Sequence, residues 1–106
     1  MIVVNRFRVP EAEQAAFRDD LERARGVLAV QRGHVAGRIG RNVDDPELWV
    51  LTTEWEGPGA YRRALSAYDV KLAAVPTLSR ALDEPSAYET VEPGAELNRP
   101  DARSLG

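Results

Sequence analysis

The fold is decided by the stretch Leu48-Trp49-Val50-Leu51-Thr52-Thr53-Glu54-Trp55-Glu56, which is followed at once by Gly57-Pro58-Gly59-Ala60-Tyr61. β-Branched and aromatic residues dominate the first part, and neither Gly nor Pro interrupts it, so it predicts a strand. The Gly-Pro-Gly segment breaks that strand and starts a helix. Trp55 and Tyr61 therefore flank a sharp strand-to-helix turn, and each is a large apolar side chain with one polar atom.

The N-terminal third of the chain predicts a strand followed by a helix. Residues 2–9 alternate and are rich in Val, with one strand face carrying Val3, Asn5, Phe7 and Val9. Pro10 suits the first position of a helix, which we expect to continue through Gln31. Its apolar stripe recurs at helical spacing and consists of Phe17, Leu21, Ala24 and Leu28.

The remaining elements complete an alternating pattern. Residues 34–41 predict a strand in which Gly37 and Gly40 indicate a bulge, and a short turn joins it to the run from Leu48 as an antiparallel hairpin. Helical spacing then recurs from Tyr61 to Tyr68, and short helical turns follow on either side of Pro76. Residues 85–91 predict a last strand.

The order strand, helix, strand, strand, helix, strand is that of the ferredoxin-like, or split βαβ, fold. We therefore predict an α+β domain over residues 2–92, with one antiparallel sheet and helices on one face. Residues 93–106 are rich in Pro, Gly and polar residues and predict a mobile tail or an arm on a partner subunit. Because the other sheet face needs a cover, we predict a homodimer in which two sheets pack face to face.

Composition excludes several classes of function. The 106 residues have the length of one domain, and a composition of 43% hydrophobic and 29% charged residues is that of an ordinary globular protein. The absence of Cys excludes disulfides and thiolate metal sites and fits a reducing cytoplasm, which is the expected location. The net charge is −3, without a basic block for nucleic acid, a long apolar run for a membrane or a signal peptide.

Standard catalytic signatures are absent, and a single histidine, His34, excludes a multi-His metal site within one chain. What remains is a set of neutral hydrogen-bond donors that could face one apolar cavity: Trp55, Tyr61, Asn5 and Tyr68. Such groups can bind a planar aromatic ligand and stabilise an oxyanion that develops on it. The alternative is that the aromatic side chains are core residues with satisfied polar tips, and that His34 is a surface or structural residue.

These features resemble the antibiotic biosynthesis monooxygenase family of dimeric α/β-barrel proteins. The resemblance covers about residues 2–91. It rests on the strand from Val3-Val4-Asn5 to Val9-Pro10, the Gly33 turn, and Glu54-Trp55-Glu56 followed six residues later by Tyr61. Some members of this family oxidise aromatic polyketide intermediates with molecular oxygen and use neither metal nor flavin.

The resemblance implies the roles of individual residues. In the actinorhodin-pathway type, an Asn, a Trp and a Tyr line the pocket, and Trp55 and Tyr61 match the last two. Leu51 stands at the position of that Asn, four before the Trp, so Asn5 would supply the amide. The implied catalytic residues are Trp55, Tyr61 and Asn5, with Leu51, Tyr68 and Phe7 contacting a phenolic or anthrone-like substrate and no cofactor.

Two other functions stay open. One is a non-catalytic dimer that binds a small hydrophobic molecule or serves as an accessory subunit, which the absence of an acid–base pair favours. The other is haem binding or degradation, because Asn5 also falls where the haem-degrading relatives have a pocket Asn. Ala64 and Ala73 stand where those relatives have a Trp and the haem-ligating His.

Overall fold

The computed structural model describes residues 1–97, and their elements follow the predicted order. The strands β1 to β4 are Ile2–Arg8, His34–Arg41, Leu48–Trp55 and Ala87–Tyr88. A 3₁₀ turn over Glu11–Glu13 leads into the first helix, and the helices α1 to α4 are Gln14–Ala29, Pro58–Ser66, Tyr68–Ala73 and Val75–Leu78. The first helix therefore begins four residues after Pro10 and ends two residues before Gln31.

The strands form one antiparallel sheet in the order β2-β3-β1-β4. Strands β1 and β3 pair along their whole length, from Ile2 opposite Glu54 to Arg8 opposite Leu48. This arrangement confirms the predicted ferredoxin-like α+β fold. The sheet of one chain is not closed, so the dimeric barrel and the homodimer stay predictions.

The core lies between the sheet and the helices. Period-two alternation points one set of side chains from β1 and β3 toward the helices. The predicted stripe of α1 is buried against them, with each of its four residues at most 1% exposed. The inward set is Val3, Asn5, Phe7 and Val9 on or next to β1, and Trp49, Leu51, Thr53 and Trp55 on β3. Burying each large apolar side chain contributes about 1.5–3 kcal/mol.

A bulge near the start of β2 decides where its first side chain lies. His34 is opposite Trp55 and Ala36 is opposite Glu54, so Val35 is the extra residue. The bulge was predicted at Gly37 and Gly40, but it lies at Val35, two residues before Gly37. As a result His34 faces the helices together with Trp55, while Val35 is 56% exposed.

The turn between α1 and β2 fixes the start of α2. Gly33 has φ +89°, and a Cβ atom built on it would lie 2.4 Å from the Cβ of Ala60. Its carbonyl oxygen accepts a hydrogen bond of 2.8 Å from the amide of Glu56. Only glycine adopts this backbone conformation readily and also allows so close an approach. Gly33 thereby holds the N-terminus of α2 against the sheet.

The C-terminal part is shorter in structure than its sequence pattern predicts. The predicted strand over 85–91 was too long, because β4 contains only Ala87 and Tyr88, which pair with the start of β1. Pro85, two residues before β4, has no amide hydrogen that could donate a hydrogen bond to a neighbouring strand. Residues 93–97 of the predicted tail are exposed, and residues 98–106 lie outside the described residues.

Candidate functional site

The structure brings together the three side chains for which a catalytic role was predicted. Trp55 ends β3, and Tyr61 lies one turn into α2, so that their ring centroids are 5.4 Å apart. Asn5 lies on the same sheet face, directly opposite Leu51 on β3. Its side-chain amide lies close enough to the Tyr61 phenol to lower the pKa of that group. The strand-to-helix turn and the register of β1 with β3 therefore assemble this cluster.

The indole of Trp55 is buried and its one polar atom already has a partner. The ring is 1% exposed, and Nε1 donates a hydrogen bond of 2.9 Å to Oγ1 of Thr53. Thr53 is itself 2% exposed and lies on the same face of β3, two residues earlier. In the conformation described, this donor is therefore used within the chain.

Tyr61 remains protonated at neutral pH. Burial, the larger effect, raises the pKa of its phenol above the ordinary value, and hydrogen bonding to Asn5 acts in the opposite direction. The phenol can therefore donate a hydrogen bond to a substrate oxygen. The amide of Asn5, a residue only 9% exposed, provides an uncharged donor and acceptor beside it.

His34 joins this cluster, although the sequence indicated a surface or structural residue. Its ring packs edge-on against Trp55 with centroids 5.1 Å apart. Within residues 1–97 its buried Nε2 atom has no hydrogen-bond partner. Burial lowers the pKa of the imidazole, and the positive charge of Arg25 lowers it further, so the ring is neutral near pH 7. It is thus a candidate proton acceptor.

The three side chains predicted to contact substrate have different environments. Leu51 is fully buried beside Asn5. Phe7 is 1% exposed and packs against Phe17, with ring centroids 5.1 Å apart, toward the far end of β1. Tyr68 is 77% exposed at the start of α3 and is not brought into the buried cluster. Leu51 is therefore the one of the three that lies next to Asn5.

Several clefts on the surface of residues 1–97 are lined by side chains other than Asn5, Trp55 and Tyr61. One of these clefts has a volume of about 430 Å³ and lies beside the N-terminus of α2. Its walls come from Met1, Glu56, Gly57, Pro58, Arg62 and residues 87–90. Because Trp55 is 1% and Asn5 9% exposed, a substrate ring contacts these side chains only after α2 or neighbouring side chains move.

Within residues 1–97, no three His, Cys, Asp or Glu side chains lie together in a group that could hold a metal ion. No helix in that range has both the length and the hydrophobicity needed to cross a bilayer.

The sequence and one protein family agree over most of the chain. Residues 1–74 match the sequence profile of the family described as antibiotic biosynthesis monooxygenase. A 42.8 kDa protein of the whiE locus of Streptomyces coelicolor is 34% identical over 59 residues, or 56% of this chain. These residues make up only 15% of that protein, so the chain spans a small part of its length.

Several solved structures share the architecture. A mutant of SnoaB, a cofactor-independent oxygenase from Streptomyces nogalater, is 28% identical, with a TM-score of 0.66 over 76% of this chain and 82% of that one. A candidate antibiotic biosynthesis monooxygenase from Deinococcus radiodurans has a TM-score of 0.70 at 18% identity, over 95% of this chain and 100% of that one. Its counterpart from Nitrosomonas europaea has a TM-score of 0.68 at 16% identity, over 86% and 98%. The last two likenesses show the fold alone.

Proposed function

The chain belongs to the antibiotic biosynthesis monooxygenase family, and on this premise we propose that it oxidises a phenolic or anthrone-like aromatic molecule with O₂ and without a cofactor. The observation that carries the proposal is the cluster of neutral hydrogen-bonding groups at the β3–α2 turn, formed by Asn5, Trp55 and Tyr61. The likeness to SnoaB, at 28% identity, supports the same chemistry.

The proposed reaction begins with loss of a proton from the activated ring carbon of the substrate. Nε2 of His34 accepts it, because the imidazole is neutral and this atom has no partner within residues 1–97. Hydrogen bonds from Tyr61 and Asn5 hold the negative charge that then develops on the substrate oxygen. The protein thus supplies orientation, a proton acceptor and exclusion of water.

Oxygen then reacts with the bound anion directly. The anion transfers one electron to O₂, and the resulting superoxide and substrate radical combine to form a carbon–oxygen bond. The peroxide takes the proton held by His34, and loss of the second hydrogen of that carbon breaks the O–O bond. A CH₂ group and O₂ thereby become a carbonyl group and water, and every atom and electron is accounted for.

In this proposal, α2 moves away from the sheet when the substrate enters. Ala60 and Ala64 are the fully buried residues of this helix, and Tyr61 and Leu65 also pack against the core, so contacts to the substrate have to replace theirs when the helix shifts. The substrate then lies between Tyr61 on α2 and Asn5 on the sheet. Trp55 forms the wall behind it and can exchange its bond to Thr53 for one to a substrate oxygen.

Oxygen consumption tests the proposal with a panel of anthrones and dihydroxynaphthalenes. Removing a donor that acts only in the transition state costs on the order of a hundredfold in rate, so we expect that loss in kcat for Tyr61→Phe. Tyr88→Phe is the matched control, since this exposed phenol donates to the carbonyl of Pro85 and should leave the rate unchanged. Equal rates for wild type and Tyr61→Phe with an accepted substrate would show that the assignment is wrong.

A non-catalytic binding module is the second candidate function. Leu51 in place of the Asn of the actinorhodin-pathway type supports it, as does the engagement of the Trp55 indole with Thr53. Tight binding of an aromatic ligand without any oxygen consumption is the result that this candidate predicts. Haem binding ranks below both, and a shifted Soret band on titration with haemin would revive it.

The proposed assembly is a homodimer formed through the sheet face opposite the helices. That face carries Ile2, Val4, Val50 and Thr52, which remain partly exposed in one chain. Light scattering should give twice the chain mass of 11.7 kDa. Val50→Asp places a charge in the centre of this face and should convert the dimer to monomer.

A further inference from the structure

A second cleft lies at the opposite end of β3 from Trp55, between α1 and the edge strand β2. Its volume is about 360 Å³, and it is lined by Arg18, Glu22, Ile39, Gly40, Arg41 and Trp49. Trp49 and Trp55 share a strand face but are six residues apart, or about 20 Å at about 3.3 Å per residue. We propose that this cleft binds a small aromatic carboxylate, at a site separate from the proposed oxygenase cluster.

The charges of the cleft favour an anion. Arg18 and Arg41 form no ion pair with a carboxylate of residues 1–97. Arg41 instead donates a hydrogen bond of 3.2 Å to the neutral amide oxygen of Gln14. The carboxylate in the cleft, Glu22, is occupied by Arg25 at 2.9 Å. Two guanidinium groups are therefore available, and their planar donor pairs suit the two oxygens of a carboxylate.

Trp49, one of the residues that line this cleft, also carries a polar atom without a partner. Trp49 is 8% exposed, and its Nε1 atom is buried without an acceptor among residues 1–97. Buried indole nitrogens normally donate a hydrogen bond, as that of Trp55 does to Thr53. The Arg41 guanidinium lies 5.9 Å from the centre of the Trp49 ring. In this proposal the guanidinium turns toward the ligand carboxylate, and the indole N–H donates a hydrogen bond to one of the ligand oxygens.

The apolar part of the cleft indicates an aromatic rather than a simple anion. The Trp49 ring packs edge-on against Phe17, with centroids 5.8 Å apart, and Ile39 is the apolar neighbour on β2. A flat ring can pack on this surface while its carboxylate reaches the two arginines at the rim. An aliphatic anion such as acetate lacks the apolar contact, and a neutral aromatic alcohol lacks the charge.

Nuclear magnetic resonance of ¹⁵N-labelled full-length protein tests the site with 2-naphthoate as the probe. The chain has two tryptophans and thus two indole N–H signals. We expect naphthoate to move the Trp49 signal downfield while the Trp55 signal stays in place. 2-Naphthalenemethanol and acetate should each bind at least tenfold more weakly than naphthoate, because the alcohol lacks the negative charge and acetate lacks the aromatic ring.

Three variants locate the ligand within the cleft. Arg41→Gln and Arg18→Gln should each weaken naphthoate binding at least fivefold. Arg23→Gln is the matched control on the same helix, because Arg23 pairs with Asp20 and is not part of the cleft, so it should leave the affinity unchanged.

Three results would overturn the proposal. The first is a Trp49 signal that stays in place at about 10 mM naphthoate, a concentration above the Kd of about 1 mM of a weak ligand. The second is movement of the Trp55 signal instead, which would place the aromatic acid at the oxygenase cluster. The third is equal binding by wild type and both cleft variants. None of these outcomes depends on oxygen consumption, so this site and the proposed reaction fail or succeed separately.

Discussion

Replacing Thr53 with Val should destabilise the protein by removing the acceptor of the Trp55 indole. The hydrogen bond is 2.9 Å long, and both side chains are at most 2% exposed. Val has nearly the shape of Thr, so packing is preserved while Nε1 of Trp55 loses its partner. No water reaches the group without rearrangement, and the donor is left unsatisfied in the core.

The size of the effect follows from this burial. Leaving a buried donor without a partner costs about 1–3 kcal/mol in the free energy of unfolding. In a domain of this length, each kcal/mol lowers Tm by about 4–8 °C. In the Trp55→Phe background the donor is absent, so Thr53→Val should cost less there, and the double-mutant cycle should give a coupling of about 1 kcal/mol.

Urea denaturation at one fixed protein concentration measures these free energies, because a dimer would make stability depend on concentration. Thr90→Val is the matched control, since Thr90 is exposed and lies outside the helices and strands. It should change stability by less than about 0.5 kcal/mol. A Thr53→Val protein as stable as the control, or a coupling near zero, would refute the claim that this hydrogen bond stabilises the native state.

Three other predictions concern Gly33 and two ionisable groups. Gly33→Ala should lower the free energy of unfolding by about 1–2 kcal/mol because of the left-handed backbone at this position, and further because the new Cβ would clash with Ala60. Adding Ala60→Gly should recover only the part lost to the clash, as measured by urea denaturation. Glu84 has a folded-state pKa lowered by its hydrogen bonds to Arg6, so its stabilisation is present above the ordinary carboxyl pKa and lost as pH falls through the folded value. Glu84→Gln should therefore flatten the acid limb of a plot of stability against pH. Burial raises the pKa of Tyr61, so its contribution is full below the ordinary value of 10.0 and lost as pH rises further. Tyr61→Phe should therefore remove the loss of stability at alkaline pH. An unchanged acid limb in Glu84→Gln, or an unchanged alkaline limb in Tyr61→Phe, would contradict the respective pKa shift.

The main helices and strands could be predicted because the spacing of apolar residues within each element reflects its one buried face. The alternation in β1 and β3 and the helical spacing from Phe17 to Leu28 both come from one buried face. The last strand was predicted too long. Its composition favours a strand, but its length is set by how many residues pair with the free edge of β1. Two residue pairs there, starting from Ile2 opposite Tyr88, are all that the register provides.

The candidate site was predictable where its residues are close in the sequence and unpredictable where their places depend on the pairing of strands. Trp55 and Tyr61 flank a turn that is visible in the sequence. The bond from Trp55 to Thr53 could also have been inferred, since residues two apart in a strand share a face. The place of His34 could not, because it depends on a bulge whose register is set only by pairing with β3.

The two tryptophans of β3 differ in whether the buried indole N–H has a hydrogen-bond acceptor. Thr53 accepts the hydrogen bond of the Trp55 indole, so this ring leaves no unsatisfied donor in the core. In the proposed reaction, exchanging that acceptor for a substrate oxygen is nearly neutral in free energy, because one hydrogen bond replaces another. Trp49 has no such partner within residues 1–97, so a ligand oxygen there would add a hydrogen bond rather than replace one. Ligand affinity should therefore depend on the indole N–H more strongly at Trp49 than at Trp55.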